Sequence, residues 1–109
     1  MTSAAAPLIP MRLTAIHYAA SGTNTYEFTP LDGQPLPHFT AGAHVDIHLP
    51  NGLVRQYSLC NPQGETHRYV VGVKRDPHSR GGSLCIHDDL RAGAVVCTPG
   101  IVGSPKLSM

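Results

Sequence analysis

Residues 44–60, HVDIHLPNGLVRQYSLC, predict a β-hairpin and decide the fold. In His44–Leu49, apolar side chains alternate with polar ones, as they do in a strand that buries one face. Pro50-Asn51-Gly52 follows as a tight turn, because Asn-Gly between two apolar runs is a strong hairpin signal. Leu53–Cys60 is then the partner strand, and its alternation continues the hairpin.

Shorter strand-like runs lie on both sides of this hairpin. Further strands are predicted at Met11–Tyr18, Thr25–Pro30, Arg68–Arg75 and Ala94–Thr98. Turn residues separate them, and Ser83–Leu90 favours one short helix. Strands at this spacing predict a small antiparallel barrel over residues 11–98. We expect residues 1–10 to be a loose N-terminus and residues 99–109 an irregular tail.

Length and composition narrow the class of protein. The chain has 109 residues, which is enough for one domain. Hydrophobic residues make up 41% and charged residues 14%, so a folded core is expected rather than disorder. The net charge of +1, with 6% aromatic residues and no tryptophan, argues against nucleic-acid binding.

Cysteine usage and hydropathy bear on the compartment. Cys60, Cys85 and Cys97 cannot all pair, which is not typical of a secreted disulfide framework. A plant-type iron–sulfur cluster needs four thiolates, so we expect no cluster in this chain. No apolar run approaches the length of a membrane span, and Met1–Ala20 does not fit a signal peptide. We therefore expect a cytoplasmic location and no membrane partner, with Cys60 buried as a small apolar residue.

The second strand of the hairpin carries side chains suited to a ligand with an anionic end and a flat end. Arg55 and Tyr57 share one face of the strand, about 6.6 Å apart. Arginine binds phosphate through paired hydrogen bonds, and tyrosine offers a rigid stacking surface. Ser58 lies on the opposite face of a regular strand, so it reaches the same ligand only at a strand end or through its backbone N–H. An Arg-x-Tyr pair alone is more commonly a surface feature.

A second anion-binding pattern precedes the predicted helix. In Arg80-Gly81-Gly82-Ser83, the glycines let successive N–H groups converge, and Ser83 is a natural N-cap. Such a segment alone is more commonly only a helix cap. Gly72 interrupts the strand between the two patterns, and a glycine inside a strand can mark the close approach of a ligand.

In this order the segments resemble a known family. Arg55–Leu59 (RQYSL), Val71–Arg75 (VGVKR) and Ser79–Ser83 (SRGGS) resemble the flavin-binding barrel of the ferredoxin reductase superfamily. Residues 39–46 (FTAGAHVD) and 88–93 (DDLRAG) add to the match. The similarity covers residues 11–97 and is greatest to the phthalate dioxygenase reductase and vanillate O-demethylase reductase type. The resemblance implies an all-β fold, a six-stranded antiparallel Greek-key barrel with one short α-helix.

The resemblance also implies roles for individual residues. Arg55 would bind the flavin phosphate, Tyr57 would pack on the flavin, and Ser58 would lie at the redox-active edge as the catalytic residue. The complete set of implied cofactor-binding residues is Arg55, Gln56, Tyr57, Ser58, Gly72, Val73, Lys74, Gly81, Gly82 and Ser83. The expected flavin is FMN, which has one phosphate, and FAD stays open.

The implied activity is electron transfer from NAD(P)H through flavin to an iron–sulfur centre. Members of this family continue into a nicotinamide-binding domain and a ferredoxin domain, and this sequence matches neither. We therefore expect an incomplete reductase, with a nicotinamide-binding or ferredoxin/oxygenase component on another chain.

Two alternatives remain beside the flavin domain. One is a metal site at His44, Asp46 and His48, although the two histidines lie about 13 Å apart along a strand. That distance is too long for both imidazoles to bind one ion, so we expect no metal. The other alternative is a barrel that binds a ligand without redox chemistry, or one that has lost its flavin affinity.

Overall fold

The computed structural model describes residues 8–40, 42–75 and 85–102, with Asp89, Ile101 and Val102 described by their backbone alone. Within these ranges the chain is almost entirely β-structure. The strands are β1 (Ile9–Ala20), β2 (Thr23–Pro30), β3 (His44–His48), β4 (Val54–Ser58), β5 (Tyr69–Lys74), β6 (Val95–Thr98) and β7 (Ile101–Val102). One π-helical segment, Cys85–Asp89, precedes β6.

All strands belong to one antiparallel sheet with the order β4-β3-β6-β1-β2-β5, and β7 pairs with β3 beyond the end of β6. The two end strands, β4 and β5, approach each other at one isolated bridge between Leu59 and Val71. Around the sheet, β3, β4 and β5 are therefore neighbours in sequence order, and β6 returns beside β3. That is the Greek-key arrangement, and the all-β antiparallel class is confirmed. The sheet does not close through a continuous ladder.

The core lies on the inner face of the curved sheet. Alternate residues of β3 and β5 are buried there, as the period of two requires. Fully buried side chains include Met11, Leu13, Tyr26, Phe28, Val45, Tyr69, Val71, Val73 and Ile86. The hydroxyl of Tyr69 has no hydrogen-bond partner among the described residues, and burial raises the pKa of Tyr69 to about 12. Among the described residues, the buried side chains are hydrophobic apart from Asn61 and Thr98.

The predicted hairpin turn is present. Gly52 has a φ of 89° and its N–H donates to the carbonyl of Leu49 at 3.0 Å. The Asn51 side chain accepts from the N–H of Leu53 at 3.0 Å. Glycine is the residue that adopts this left-handed conformation without strain, so the turn sets the register of β3 against β4.

Three details differ from the sequence-based expectation. β1 begins at Ile9, two residues before the expected start at Met11. The predicted α-helix is a π-helical segment, in which the N–H of Leu90 reaches five residues back to the carbonyl of Cys85 at 3.1 Å. Ile101–Val102 is a short strand rather than irregular tail, because Gly100 turns the chain onto β3.

Across the described ranges, no helix combines the length and the apolar character needed to cross a membrane.

Candidate functional site

The candidate site is the gap between the two end strands of the sheet, β4 and β5. The strands meet at the Leu59–Val71 bridge, and the N–H of Cys60 donates to the carbonyl of Val70 at 2.7 Å. We call residues 59–61 and 70–71 the closed end of the gap. We call residues 55–58 and 72–74 the open end, where no described strand lies between β4 and β5.

Alternate residues of β4 turn their main chains toward the gap. The N–H of Leu59 donates to Ala43 at 3.0 Å, so the main chain of Leu59 faces β3. In an antiparallel pair, the residues that exchange hydrogen bonds alternate along the strand. The main chain of Tyr57 therefore also faces β3, whereas Gln56 and Ser58 turn theirs toward the gap.

The same reasoning applies to β5. The carbonyl of Val70 accepts from Cys60 across the gap, and the N–H of Arg75 donates to Gly22 next to β2 at 2.7 Å. Because such bonds alternate along a strand, these two show which residues of β5 face the gap and which face β2. The main chains of Gly72 and Lys74 thus face the gap opposite those of Ser58 and Gln56. The open end offers N–H and C=O groups from both sides to a flat polar ligand.

Arg55 and Tyr57 lie on the core-facing side of β4, as the alternation predicts. They pair with Ile47 and Val45 of β3, and both are half-buried. Nη1 of Arg55 donates to the carbonyl of Val54 at 2.9 Å, which holds the guanidinium near the gap edge of the strand. Burial raises the pKa of Tyr57, and the positive charge of Arg55 acts in the opposite direction. A cation and an aromatic ring therefore stand side by side at the open end.

Gln56 and Ser58 have their side chains on the other face of β4. Nε2 of Gln56 donates to Oδ1 of Asp46 at 3.4 Å, and the side chain of Ser58 is exposed. Ser58 is thus separated from the face of Arg55 and Tyr57, and it reaches the gap through its main chain. The catalytic role of Ser58 stays a prediction.

Gly72, Val73 and Lys74 border the gap from β5. Val73 is buried in the core, Lys74 is exposed, and Gly72 is half-buried. A Cβ added to Gly72 would lie 3.5 Å from Sγ of Cys60, an ordinary contact. The glycine thus leaves free space against β5 on the outer face of the sheet, where the side chains of Ser58 and Cys60 also lie.

Contacts that the sequence did not indicate join β5 to the π-helical segment. Nε2 of His87 donates to the carbonyl of Val73 at 2.7 Å, and its ring meets Tyr26 edge-on. Arg75 forms paired hydrogen bonds with Asp88, both at 3.2 Å, and this guanidinium holds the pKa of Asp88 below its usual value. These contacts fix the far end of β5. Their partners lie more than ten residues apart, so no local pattern could have predicted them.

The closed end has a polar network that the sequence also did not indicate. Asn61 is buried, and its Oδ1 accepts from the N–H of Val70 at 3.0 Å. Its Nδ2 donates to Glu65 at 2.8 Å, and Arg68 bonds both Glu65 and Glu27 of β2. Arg68 and Asn61 hold the pKa of Glu65 below its usual value. From the sequence, residues 61–64 (NPQG) indicate only a turn.

The other candidate residues divide into three groups. Gly81, Gly82 and Ser83 lie outside the described residues, so the phosphate-binding segment stays a prediction. Cys60 is exposed, which corrects the expectation that it is a buried apolar residue, because the alternation that buries Leu59 places the next side chain on the outer face of the sheet. His44, Asp46 and His48 pair across to β4, and no group of three metal-ligating residues occurs in the described ranges.

A groove of about 510 Å³ lies elsewhere in the molecule, between the end of β2 and the loop before β5. It is lined by Thr29, Pro30, Gly33, Gln34, Pro35, Thr66 and His67. None of the predicted site residues lines this groove, so it is distinct from the gap.

Comparison with known proteins gives related reductases. Tetrachlorobenzoquinone reductase of Sphingobium chlorophenolicum is 53% identical over 85 residues, 78% of this chain and 26% of that protein. Vanillate O-demethylase oxidoreductase of Acinetobacter baylyi is 53% identical over 78 residues, 72% of this chain and 24% of that protein. The solved structure of phthalate dioxygenase reductase, described as a modular structure for electron transfer from pyridine nucleotides to [2Fe-2S], superposes with a TM-score of 0.85. It is 37% identical, over 93% of this chain and 32% of that chain. No family model matches the chain.

With these matches, the antiparallel sheet and its gap define a ferredoxin reductase-type flavoprotein domain. The chain belongs to the phthalate dioxygenase reductase and vanillate O-demethylase reductase family, which confirms the resemblance. It spans about a quarter of the length of the curated relatives described above.

Proposed function

We propose that this chain binds FMN at the open end of the β4–β5 gap and forms the flavin domain of an oxygenase-type electron-transfer reductase. The observation that carries the proposal is the combination of two main-chain edges with a guanidinium and an aromatic ring at the same place. A flavin presents a flat ring with hydrogen-bonding atoms on one side and a phosphate at the end of its side chain.

The residues of the open end fit the parts of that cofactor. Arg55 would hold the phosphate through charge-assisted hydrogen bonds, and Tyr57 would pack against the flavin. The N–H of Ser58 and the carbonyl of Gly72 would bond the polar atoms of the ring. Gly81, Gly82 and Ser83 would add N–H groups to the phosphate. The bound flavin supplies the redox chemistry, accepting a hydride and passing on single electrons, while the protein binds and orients it.

The choice of FMN over FAD follows from the number of groups available to hold phosphate at the open end. One arginine at the open end, with one glycine-rich segment predicted beside it, suits a single phosphate. FAD would bring a second phosphate and an adenosine. The family resemblance also favours FMN, so FAD is the form to compare in the same experiment.

We infer the electron-transfer partners of this chain from its relatives, whose names describe components of vanillate O-demethylase and phenoxybenzoate dioxygenase. We expect electrons to enter from NAD(P)H through a nicotinamide-binding component and to leave to an iron–sulfur centre of a ferredoxin or oxygenase. A cytoplasmic location stays a prediction from the cysteine count.

A flavin titration tests the proposal. The purified chain is titrated with FMN, FAD and riboflavin in parallel while flavin fluorescence and visible absorbance are followed. We expect saturable binding with FMN tightest, because riboflavin lacks the phosphate. If the chain is folded by circular dichroism and binds none of the three, the flavin function is wrong and the ligand-binding barrel without redox chemistry takes its place.

A further inference from the structure

We infer that Asn61 is a positioning residue for the flavin, because its side chain takes the place of a main-chain hydrogen-bond acceptor at the closed end of the gap. This inference rests on the proposed function and deepens it. Asn61 would determine the geometry of the open end without touching the cofactor.

The hydrogen bonds of Val70 explain the substitution. Its main chain faces the gap, where β4 would have to supply both partners for a regular ladder. The N–H of Cys60 bonds the carbonyl of Val70 at 2.7 Å, and Oδ1 of Asn61 accepts from the N–H of Val70 at 3.0 Å. A side-chain amide thus completes the last ladder position between β4 and β5.

The strands part only after the bridge between Leu59 and Val71. That bridge is made by the flanking main chains, Cys60 with Val70 on one side and the N–H of Gly72 with the carbonyl of Ser58 on the other, and no described ladder continues beyond it. The direction in which β4 and β5 diverge is therefore set by the bonds that Val70 makes with Cys60 and Asn61. A change in these bonds moves both main-chain edges that are proposed to bond the flavin ring.

The Asn61 network, which we define as Asn61, Glu65, Arg68 and Glu27, keeps this arrangement rigid. Asn61 is only 8% exposed, and its Nδ2 donates to Glu65 at 2.8 Å and to the carbonyl of Arg68 at 3.1 Å. Arg68 in turn bonds Glu27 of β2 at 2.7 Å. The loop that joins β4 to β5 is therefore tied to the neighbouring strand of the sheet, and Asn61 is its buried centre.

The variant Asn61→Asp tests the inference. It keeps the shape of the side chain but removes both Nδ2 hydrogen bonds. Repulsion between the new carboxylate and Glu65 is expected to displace Oδ1 from the N–H of Val70. We expect FMN and riboflavin to bind about tenfold more weakly, the factor for the loss of one buried hydrogen bond. Both dissociation constants should rise by the same factor, since the phosphate contact at Arg55 is unchanged. The visible absorption bands of bound FMN should shift toward those of free FMN.

Two further variants separate positioning from general stability. In the double variant N61D/E65Q, the new amide can donate to the introduced carboxylate, and we expect FMN affinity and the bound-state spectrum to recover most of the way. Thr98→Val removes a different buried hydrogen bond, to the N–H of Gly100 at 3.0 Å, in β6 away from the gap. We expect Thr98→Val to lower the melting temperature without changing the spectrum of bound FMN. All measurements are made at a temperature where each variant is folded.

The outcomes are distinct. If the wild-type chain is folded and binds no flavin, the proposed function fails, and the inference fails with it. If the wild type binds FMN and N61D binds it with the same affinity and spectrum, only the inference is wrong. Equal losses of affinity in N61D and Thr98→Val would also overturn it. If N61D does not fold, Arg68→Lys is measured instead, and an affinity and spectrum equal to wild type would contradict the inference.

Discussion

The closed and open ends of the gap are formed by the same two strands, yet their main chains have different partners. At the closed end, Val70 bonds a main-chain N–H from Cys60 and a side-chain oxygen from Asn61. At the open end, Ser58 and Gly72 complete the isolated bridge between Leu59 and Val71, and no described ladder continues past them. The comparison teaches that a buried asparagine side chain fixes one end of the strand pair, and that binding capacity begins at the other end, where the pairing stops.

The largest effect on FMN affinity is expected from removing the cation at the open end. Arg55→Ala should raise the dissociation constant of FMN about 30-fold, since charge-assisted hydrogen bonds contribute about 2 kcal/mol. Riboflavin, which has no phosphate, should bind as it does to the wild type. Parallel fluorescence titrations measure both constants, and Arg12→Ala on β1 is the matched control. Equal weakening of FMN and riboflavin would show that the phosphate lies elsewhere.

A smaller effect is expected from filling the space at Gly72. Gly72→Ala should weaken FMN binding about tenfold if the ring lies against β5, because a methyl group would displace it. The fold should be unharmed or more stable by about 0.5 kcal/mol, since a strand glycine is entropically unfavourable and the Cβ has room beside Cys60. Chemical denaturation and FMN titration test the two parts. Unchanged FMN affinity in this variant would remove Gly72 from the site.

Ser58→Ala probes the side chain that points away from Arg55 and Tyr57. Because the main chain of Ser58 is retained, we expect FMN to bind with close to wild-type affinity. The notable change should be slower reduction of the bound flavin, if the hydroxyl contacts its redox-active edge. Stopped-flow reduction by dithionite measures this rate. A rate equal to wild type would exclude the hydroxyl from the reaction and leave Ser58 with a main-chain role.

The smallest expected effect is on the pH dependence of the melting temperature, and it comes from the closed end of the gap. Arg68 and Asn61 lower the pKa of Glu65 below its ordinary value of 4.5. A lowered carboxyl pKa stabilises the fold above that ordinary value, and the contribution is lost as the pH falls through the folded-state pKa. We therefore expect the melting temperature of the wild type to fall more steeply below pH 4.5 than that of Glu65→Gln. Thermal melts between pH 7 and pH 3 measure this difference, and parallel curves would contradict the assignment. Asp88, paired with Arg75, titrates equally in both proteins.

The sequence predicts the local parts of this structure well. Alternation in His44–Leu49 and the Asn-Gly turn are enough to establish the hairpin, because both depend on residues next to each other. The shared face of Arg55 and Tyr57 follows from the same period. The resemblance to the reductase family supplies the Greek-key order, which no local pattern contains.

The parts that the sequence does not predict depend on long-range contacts. Asn61 occurs among turn residues, and only its position opposite Val70, nine residues later, makes it a strand partner. The short strand Ile101–Val102 follows Pro99-Gly100, which indicates a break, and it forms through pairing with β3.

The central claim is that the open end of the gap binds flavin through both main-chain edges, and amide hydrogen exchange with and without FMN tests it most directly. We expect the amides of Gln56, Ser58 and Lys74 to exchange rapidly in the free chain and to slow when FMN is added. The amides of Cys60 and Val70, which are already bonded, should be protected in both states. Slowing confined to the groove near Thr66 and His67, or no slowing at the open end despite FMN binding, would contradict the account.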